Sequence, residues 1–249
     1  MEGAAKLITA FAALLGAIAW PISIFSLAFL FRNEIKAAAG KLPALLDRVR
    51  KMKLAGIEAD LDKIADSTPN NTMGNITQEE VEVAVKIAYD ANQYDLELTR
   101  QLDRLCVEYD SLRKTLPAGP VRTKAMSRVL IKMRALAPSL VSTIDIYKNS
   151  SSPGRRLAAV AMMQMNPEAC EIDWLTKRFE VEHPFIFYHA ALALQNFVND
   201  NLPQSNFNKL ANAVQKSLKI LRSFDGIPDA ASIAVLEKIY LTITKNRCN

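Results

Sequence analysis

Residues 153–165, PGRRLAAVAMMQM, and residues 184–196, PFIFYHAALALQN, superpose at an offset of 31, with Ala159 over Ala190 and Gln164 over Gln195. Each begins with a proline, whose fixed φ and missing N–H suit the first position of a helix. The same punctuation recurs at Ser152-Pro153, Asn166-Pro167, His183-Pro184, Leu202-Pro203 and Ile227-Pro228-Asp229, and each reads as a boundary between short helices. Between the two quoted stretches, Ile172 to Phe179 supplies a short antiparallel helix. The fold class this predicts is all-α.

Working outward, Thr77-Gln78-Glu79-Glu80 matches a capping box, in which Thr77 accepts from a backbone amide and Glu80 reaches back. A helical stretch follows to Leu116, with a break at Asn92 to Asp95; its second part carries Leu98, Leu102, Leu105, Cys106, Tyr109, Leu112 and Leu116 on one face. Pro117-Ala118-Gly119-Pro120 ends it, and a helix over 121–137 should turn Ala125, Val129, Met133 and Leu136 inward. The last helices are expected over 204–224 and 229–245, with Phe207, Leu210, Val214, Leu218 and Leu221, then Ile233, Leu236, Ile239 and Ile243, inward and Gly226 as a cap. Proline-started helices with an Ala-Ala pair at close contact make residues 152–200 resemble a short HEAT-like repeat region, which implies paired helices stacked in a curved layer. Residues 77–249 thus read as an antiparallel helical bundle or a short HEAT-like repeat domain.

The net charge of +5 is unevenly placed. Residues 1–31 sum to zero, residues 32–53 hold seven basic and two acidic groups, and residues 54–249 hold 23 of each. A basic surface spread over a folded domain is absent, so nucleic acid is an unfavoured partner. Within the neutral part, residues 54–110 carry thirteen acids and four bases, whereas residues 111–144 carry seven bases and no acid. Arg122, Lys124, Arg128, Lys132 and Arg134 form a basic interaction face with three uses: neutralising the acidic helices within one domain, meeting them between protomers, or receiving a phosphate-bearing ligand.

Leu7 to Phe31 is a run of 25 uncharged residues, roughly 37 Å long as a helix at 1.5 Å per residue and enough to cross a hydrocarbon core of about 30 Å. It is too long for the apolar core of a signal peptide. Arg32, Lys36, Lys41, Arg48, Arg50, Lys51 and Lys53 follow it, against Lys6 alone before it, so the N-terminus is expected outside and the remainder in the cytoplasm. Three unpaired, widely spaced cysteines suit that reducing side. Thr9, Ala13 and Ala17, with Ala12 and Gly16, form small-residue stripes suited to self-association of spans.

Residues 32–66 read as a basic amphipathic juxtamembrane helix with Ile35, Ala38, Leu42, Leu45, Val49 and Met52 along one seam. Pro43 is expected to interrupt it, one helix ending near Gly40 and another starting at Pro43. The seven basic residues would meet anionic lipid headgroups. The uncharged 67–76 stretch is expected as a linker between the anchor and the 77–249 domain. The run Phe31-Arg32-x-x-Ile35, then Leu45-Leu46-x-Arg48-Val49-x-Lys51-Met52-Lys53-x-x-Gly56-Ile57-Glu58-Ala59, resembles the stretch after a single N-terminal span in bacterial membrane proteins. That resemblance implies an inner-membrane protein and carries no activity.

Catalytic chemistry has few candidates. His183 and His189 are the two histidines, and a separation of six places them on opposite sides of a helix, unsuited to a shared metal. Arg178-x4-His183 resembles the ribonuclease motif of HEPN domains, which implies RNA cleavage by an Arg and a His that meet across a dimer; Pro184, however, pushes His183 out of helical conformation. No glycine-rich phosphate loop or Cys-x-x-Cys pattern is present, and no cofactor is implied. The leading functional expectation is a membrane-tethered oligomerising adaptor or scaffold whose helical domain binds a cytoplasmic protein partner. A membrane-disrupting or pore-forming effector of the kind found in anti-phage systems is the alternative, and a HEPN-like ribonuclease the third.

Overall fold

The computed structural model describes residues 29–67, 74–90, 95–199, 206–224 and 230–247, with the backbone alone described for residues 34–50, 90, 246 and 247. The described residues are α-helical with short 3-10 turns and include no strand. The helices are α1 (Arg32–Ser67), α2 (Gln78–Asp90), α3 (Asp95–Thr115), α4 (Pro120–Leu140), α5 (Ile144–Lys148), α6 (Pro153–Met165), α7 (Ile172–Val181), α8 (Pro184–Asn199), α9 (Phe207–Arg222) and α10 (Ala230–Arg247). The all-α expectation therefore holds. The expected span over 7–31, with Thr9, Ala12, Ala13, Gly16 and Ala17, lies outside the described residues except for its last three. Among the described residues no helix is long and apolar enough to cross a membrane.

Helix α1 corrects the expected break at Gly40 and Pro43, because it runs unbroken through both. A proline inside a helix costs about 3 kcal/mol, and the surrounding residues, Ala37 to Ala39 and Ala44 to Leu46, are strong helix formers that continue on either side.

The chain divides into two compact units, residues 1–56 and 57–249. The second unit begins inside α1, well before the 67–76 stretch, because Ile57, Leu61, Ile64 and Ala65 are buried. Ile64 and Ala65 pack with Ile131 of α4 and against Val83 of α2. Within this unit α4 lies against α2, α3 and α6; α6 against α3, α5 and α8; and α8 against α7 and α10. Helix α9 covers α7 and α10. Helices α4, α6, α8 and α10 thus pack in succession, and α4 in the middle of the first half is buried on nearly all sides from Met126 to Ala137.

Proline starts α6, α7's preceding turn and α8, as the punctuation predicts, and also α4, one residue ahead of the expected start at Val121; Pro203 and Pro228 lie outside the described residues. Ser152 caps α6, accepting from the Arg155 N–H at 3.2 Å. That cap is itself held by α3: the Asp110 carboxylate accepts from the Ser152 hydroxyl at 2.6 Å and from the Gly154 N–H at 2.8 Å. The sequence suggests a turn or cap role for Gly154, but its structural role is close approach. A Cβ there would lie 2.2 Å from the Cys106 carbonyl oxygen of α3.

Because that neighbour is backbone, no side chain can yield. Gly154→Ala should lower stability by about 2–3 kcal/mol, read as a melting temperature lower by roughly 5–10 °C in circular dichroism. Gly56→Ala, in a helix with nothing within 4 Å of its Cβ, is the control and should melt no lower than the unaltered protein.

Candidate functional site

Helix α4 carries an arginine where its neighbours Leu130, Met133 and Ala137 are buried, and Arg134 is buried with them, its side chain wholly inaccessible. A guanidinium has five N–H donors and stays charged, so such a position is tolerable only with acceptors on several sides. Five are present. The Nε–H donates to Gln164 Oε1 of α6 at 2.7 Å, and Nη2 donates to the Gly74 carbonyl at 3.0 Å. Longer contacts join Nη1 to Glu80 Oε2 of α2 at 3.4 Å and to the Asn75 carbonyl at 3.5 Å, and Nη2 to His189 Nδ1 of α8 at 3.4 Å. Gln164 completes the ring by donating its amide N–H to the His189 carbonyl at 2.8 Å.

The capping box is half formed. The Glu80 N–H donates to Thr77 Oγ1 at 3.2 Å, but the Glu80 side chain turns inward to Arg134 instead of reaching back. Burial pushes the Glu80 carboxyl above its ordinary range, opposed by the Arg134 charge, and Glu80 Oε1 has no hydrogen-bond partner. Burial, then the Arg134 charge, holds His189 well below the ordinary histidine value. The ring is therefore neutral and can present Nδ1 as the acceptor, the tautomer that the Arg134 contact requires. Phe185 and Tyr188 meet the His189 ring edge-on at 4.6 and 5.1 Å. Gly74 fits here for lack of a side chain, since a Cβ would lie 2.4 Å from the Tyr188 hydroxyl. The stretch expected as a linker is thus docked on the domain at Gly74 and Asn75.

The basic face separates into parts. Arg128 pairs with Asp66 and Lys132 with Asp62, at 2.5 Å for the latter, so these two neutralise the acidic end of α1 within one chain. Arg134 is inward, which corrects its place on an exposed face: it shares the Leu130 and Ala137 stripe. Arg122 is half-buried and Lys124 exposed, and neither has an ion-pair partner among the described residues. Of the expected lipid-facing residues, Arg32, Lys51 and Lys53 are exposed, with the Arg32 guanidinium 4.7 Å from the Phe29 ring centre. The side chains of Lys36, Lys41, Arg48 and Arg50 lie outside the described residues.

Arg178 and His183 are not brought together. Arg178 is buried on α7, its Nη1 donating to Glu182 Oε1 at 3.1 Å and its guanidinium stacked 4.2 Å over Trp174. Arg156 of α6 also grips Glu182, with Nη2 to Oε2 at 3.2 Å. His183 is exposed and lies between α7 and α8, outside helical conformation, as its place before proline predicts. The buried Cys106 thiol and the half-buried Cys170 thiol are both pushed up to about 12 by burial, which leaves them unreactive. Among the described residues no group of His, Cys, Asp and Glu could hold a metal ion. A shallow groove of about 390 Å³ between α9 and α10 is lined by Gln215, Leu218, Arg222, Glu237, Tyr240 and Leu241. Its polar groups are mutually engaged, Arg222 with Glu237 at 2.9 Å and Gln215 with the Tyr240 hydroxyl at 3.0 Å.

The chain matches no known family model, no curated protein and no solved structure.

Replacing Arg134 by Met leaves the Glu80 carboxyl buried without its partner and should cost about 3–5 kcal/mol. Adding Glu80→Leu should recover a large part of that loss, and a double-mutant cycle from urea denaturation measures the coupling. His189 supplies a pH signature. Its folded-state proton affinity is depressed, so unfolding takes up a proton below the ordinary value of about 6.5, and stability present at pH 7 is lost as pH falls. The slope from this one group reaches about 1.4 kcal/mol per pH unit. His183 works in the same direction, being also depressed, and the raised Glu80 works oppositely. Between pH 6.5 and 5.5, His189→Gln should therefore flatten the stability profile relative to the unaltered protein.

Proposed function

We propose that this chain is a membrane-tethered adaptor whose helical domain works by protein contact and self-association. The 25-residue uncharged run followed by seven basic groups supports the tether and an N-out, cytoplasmic-domain arrangement. The observation that carries the contact function is on α2. Glu80, Ala84 and Ile87 face inward and are buried, while Val81, Val85 and Tyr89, spaced one turn apart, are 39, 63 and 89% exposed. Three apolar side chains in line on an exposed helix face are a surface for another helix. Buried polar groups support the same reading from the other side. Arg134 binds Glu80 and Gln164, and Glu182 is bound by Arg156 and Arg178, so their hydrogen-bonding capacity is directed to holding the domain together.

The full chain in a mild non-ionic detergent, weighed by light scattering after size exclusion, should be a dimer or larger. Val85→Glu combined with Tyr89→Glu should reduce that mass while leaving the melting temperature within a few degrees, since both positions are exposed. A monomeric unaltered chain across the accessible concentration range would refute self-association.

A further inference from the structure

The seven bases of residues 111–144 divide by partner. Arg128, Lys132 and Arg134 meet Asp66, Asp62 and Glu80. Arg113, Lys114, Arg122 and Lys124, flanking the α3–α4 turn, meet no acid among the described residues. Two contacts and the chain positions beside them bring part of this surplus to one corner. The Tyr109 ring lies 5.8 Å from that of Phe185, joining the end of α3 to the first turn of α8. Arg113 sits one turn beyond Tyr109, and His183 two residues before Phe185. Arg122 folds back over the turn, its Nη1 donating to the Leu116 carbonyl at 3.3 Å.

Two carboxylates beside this corner are engaged elsewhere, Asp110 by the Ser152 hydroxyl and the Gly154 N–H, and Glu182 by two arginines. The Glu182 side chain is 1% exposed and is bound by Arg156 and Arg178 beneath. Partial burial, then the charges of Arg113 and Arg122, lowers the proton affinity of His183, with Glu182 opposing. Helix α4 begins at the same turn with no side-chain cap from Gly119, and a helix start favours an anion. The corner thus holds two half-buried guanidiniums and an exposed imidazole that have no ion-pair partner among the described residues, together with two lysines on its flanks.

We propose that Arg113, Arg122 and His183 form a binding site for a phosphate group, presented by a soluble phosphate ester or diphosphate or by a lipid headgroup. Tetrahedral phosphate oxygens accept paired N–H bonds from a guanidinium, and the N–H of the imidazole supplies a third donor. This does not rest on the adaptor reading and stands or falls separately.

The chain contains two histidines, so the imidazole Cε1–H resonances of the full chain in non-ionic detergent report the site directly. Titration with sodium pyrophosphate should move the His183 signal and leave that of buried His189 unchanged. Arg113→Gln with Arg122→Gln should weaken the response at least about tenfold, and Lys132→Gln, on a residue paired elsewhere, should leave it unaltered. A His183 signal that moves with phosphatidylglycerol in mixed micelles, and with neither phosphatidylcholine nor pyrophosphate, assigns the phosphate to lipid; movement with pyrophosphate assigns it to a soluble compound. A His183 signal indifferent to both pyrophosphate and phosphatidylglycerol overturns the proposal. So does an equal response in the Arg113→Gln, Arg122→Gln variant.

Discussion

A guanidinium that water does not reach must find its acceptors inside the protein, and the acceptors around Arg134 come from four separate pieces of chain. Gln164 belongs to α6, His189 to α8 and Glu80 to α2, while Gly74 and Asn75 precede α2. None of these helices could rotate about its axis or slide by a turn without leaving a buried donor or acceptor unmet, which costs more than a lost apolar contact of similar size. Apolar packing alone is less exacting, because leucine and alanine stripes tolerate small shifts in register. The cluster therefore acts on specificity of arrangement more than on gross stability, a division consistent with the weak net contribution of buried ion pairs.

Charge is distributed by the same logic. The acidic end of α1 and the acidic start of α2 take the second half of the α4 bases, on the surface through Asp66 and Asp62 and in the interior through Glu80. The first half of that basic segment, together with the end of α3, is left over. Elsewhere the pattern is pairing of long side chains between neighbouring helices, Lys209 with Asp173 and Lys216 with Glu180 joining α9 to α7. These exposed pairs contribute little each, and their value lies in showing which helix faces adjoin. A sum of zero over residues 54–249 is thus compatible with one locally unbalanced corner.

Helices were legible wherever a proline or a cap marked an end. Pro120, Pro153, Pro167 and Pro184 each stand at a helical start, and the Leu98, Leu102, Leu105, Cys106 and Tyr109 stripe is buried as its spacing demands. Pro43 and Pro138 were not legible in the same way, since both lie inside helices; proline marks a boundary when its neighbours also favour one, and here they favour helix. The polar cluster was missed for a specific reason. Arginine on a helix with four other bases reads as surface, whereas Leu130, Arg134 and Ala137 share one stripe, as do Glu80, Ala84 and Ile87. A lone polar residue within an apolar stripe, found on more than one helix, was the available signal. Distances between those helices are not encoded by spacing, so which polar residues meet could come from the fold alone.

The docking of Gly74 and Asn75 has a mechanical meaning. The chain enters the second unit at Ile57 in helical form and is braced on α4 by Asp62 and Asp66, and ahead of α2 it is gripped at Gly74 by the arginine that also holds α6 and α8. A displacement of Gly74 would therefore break a hydrogen bond of the same guanidinium that α6 and α8 share, so the start of α2 and the middle of the helical stack are coupled through one side chain.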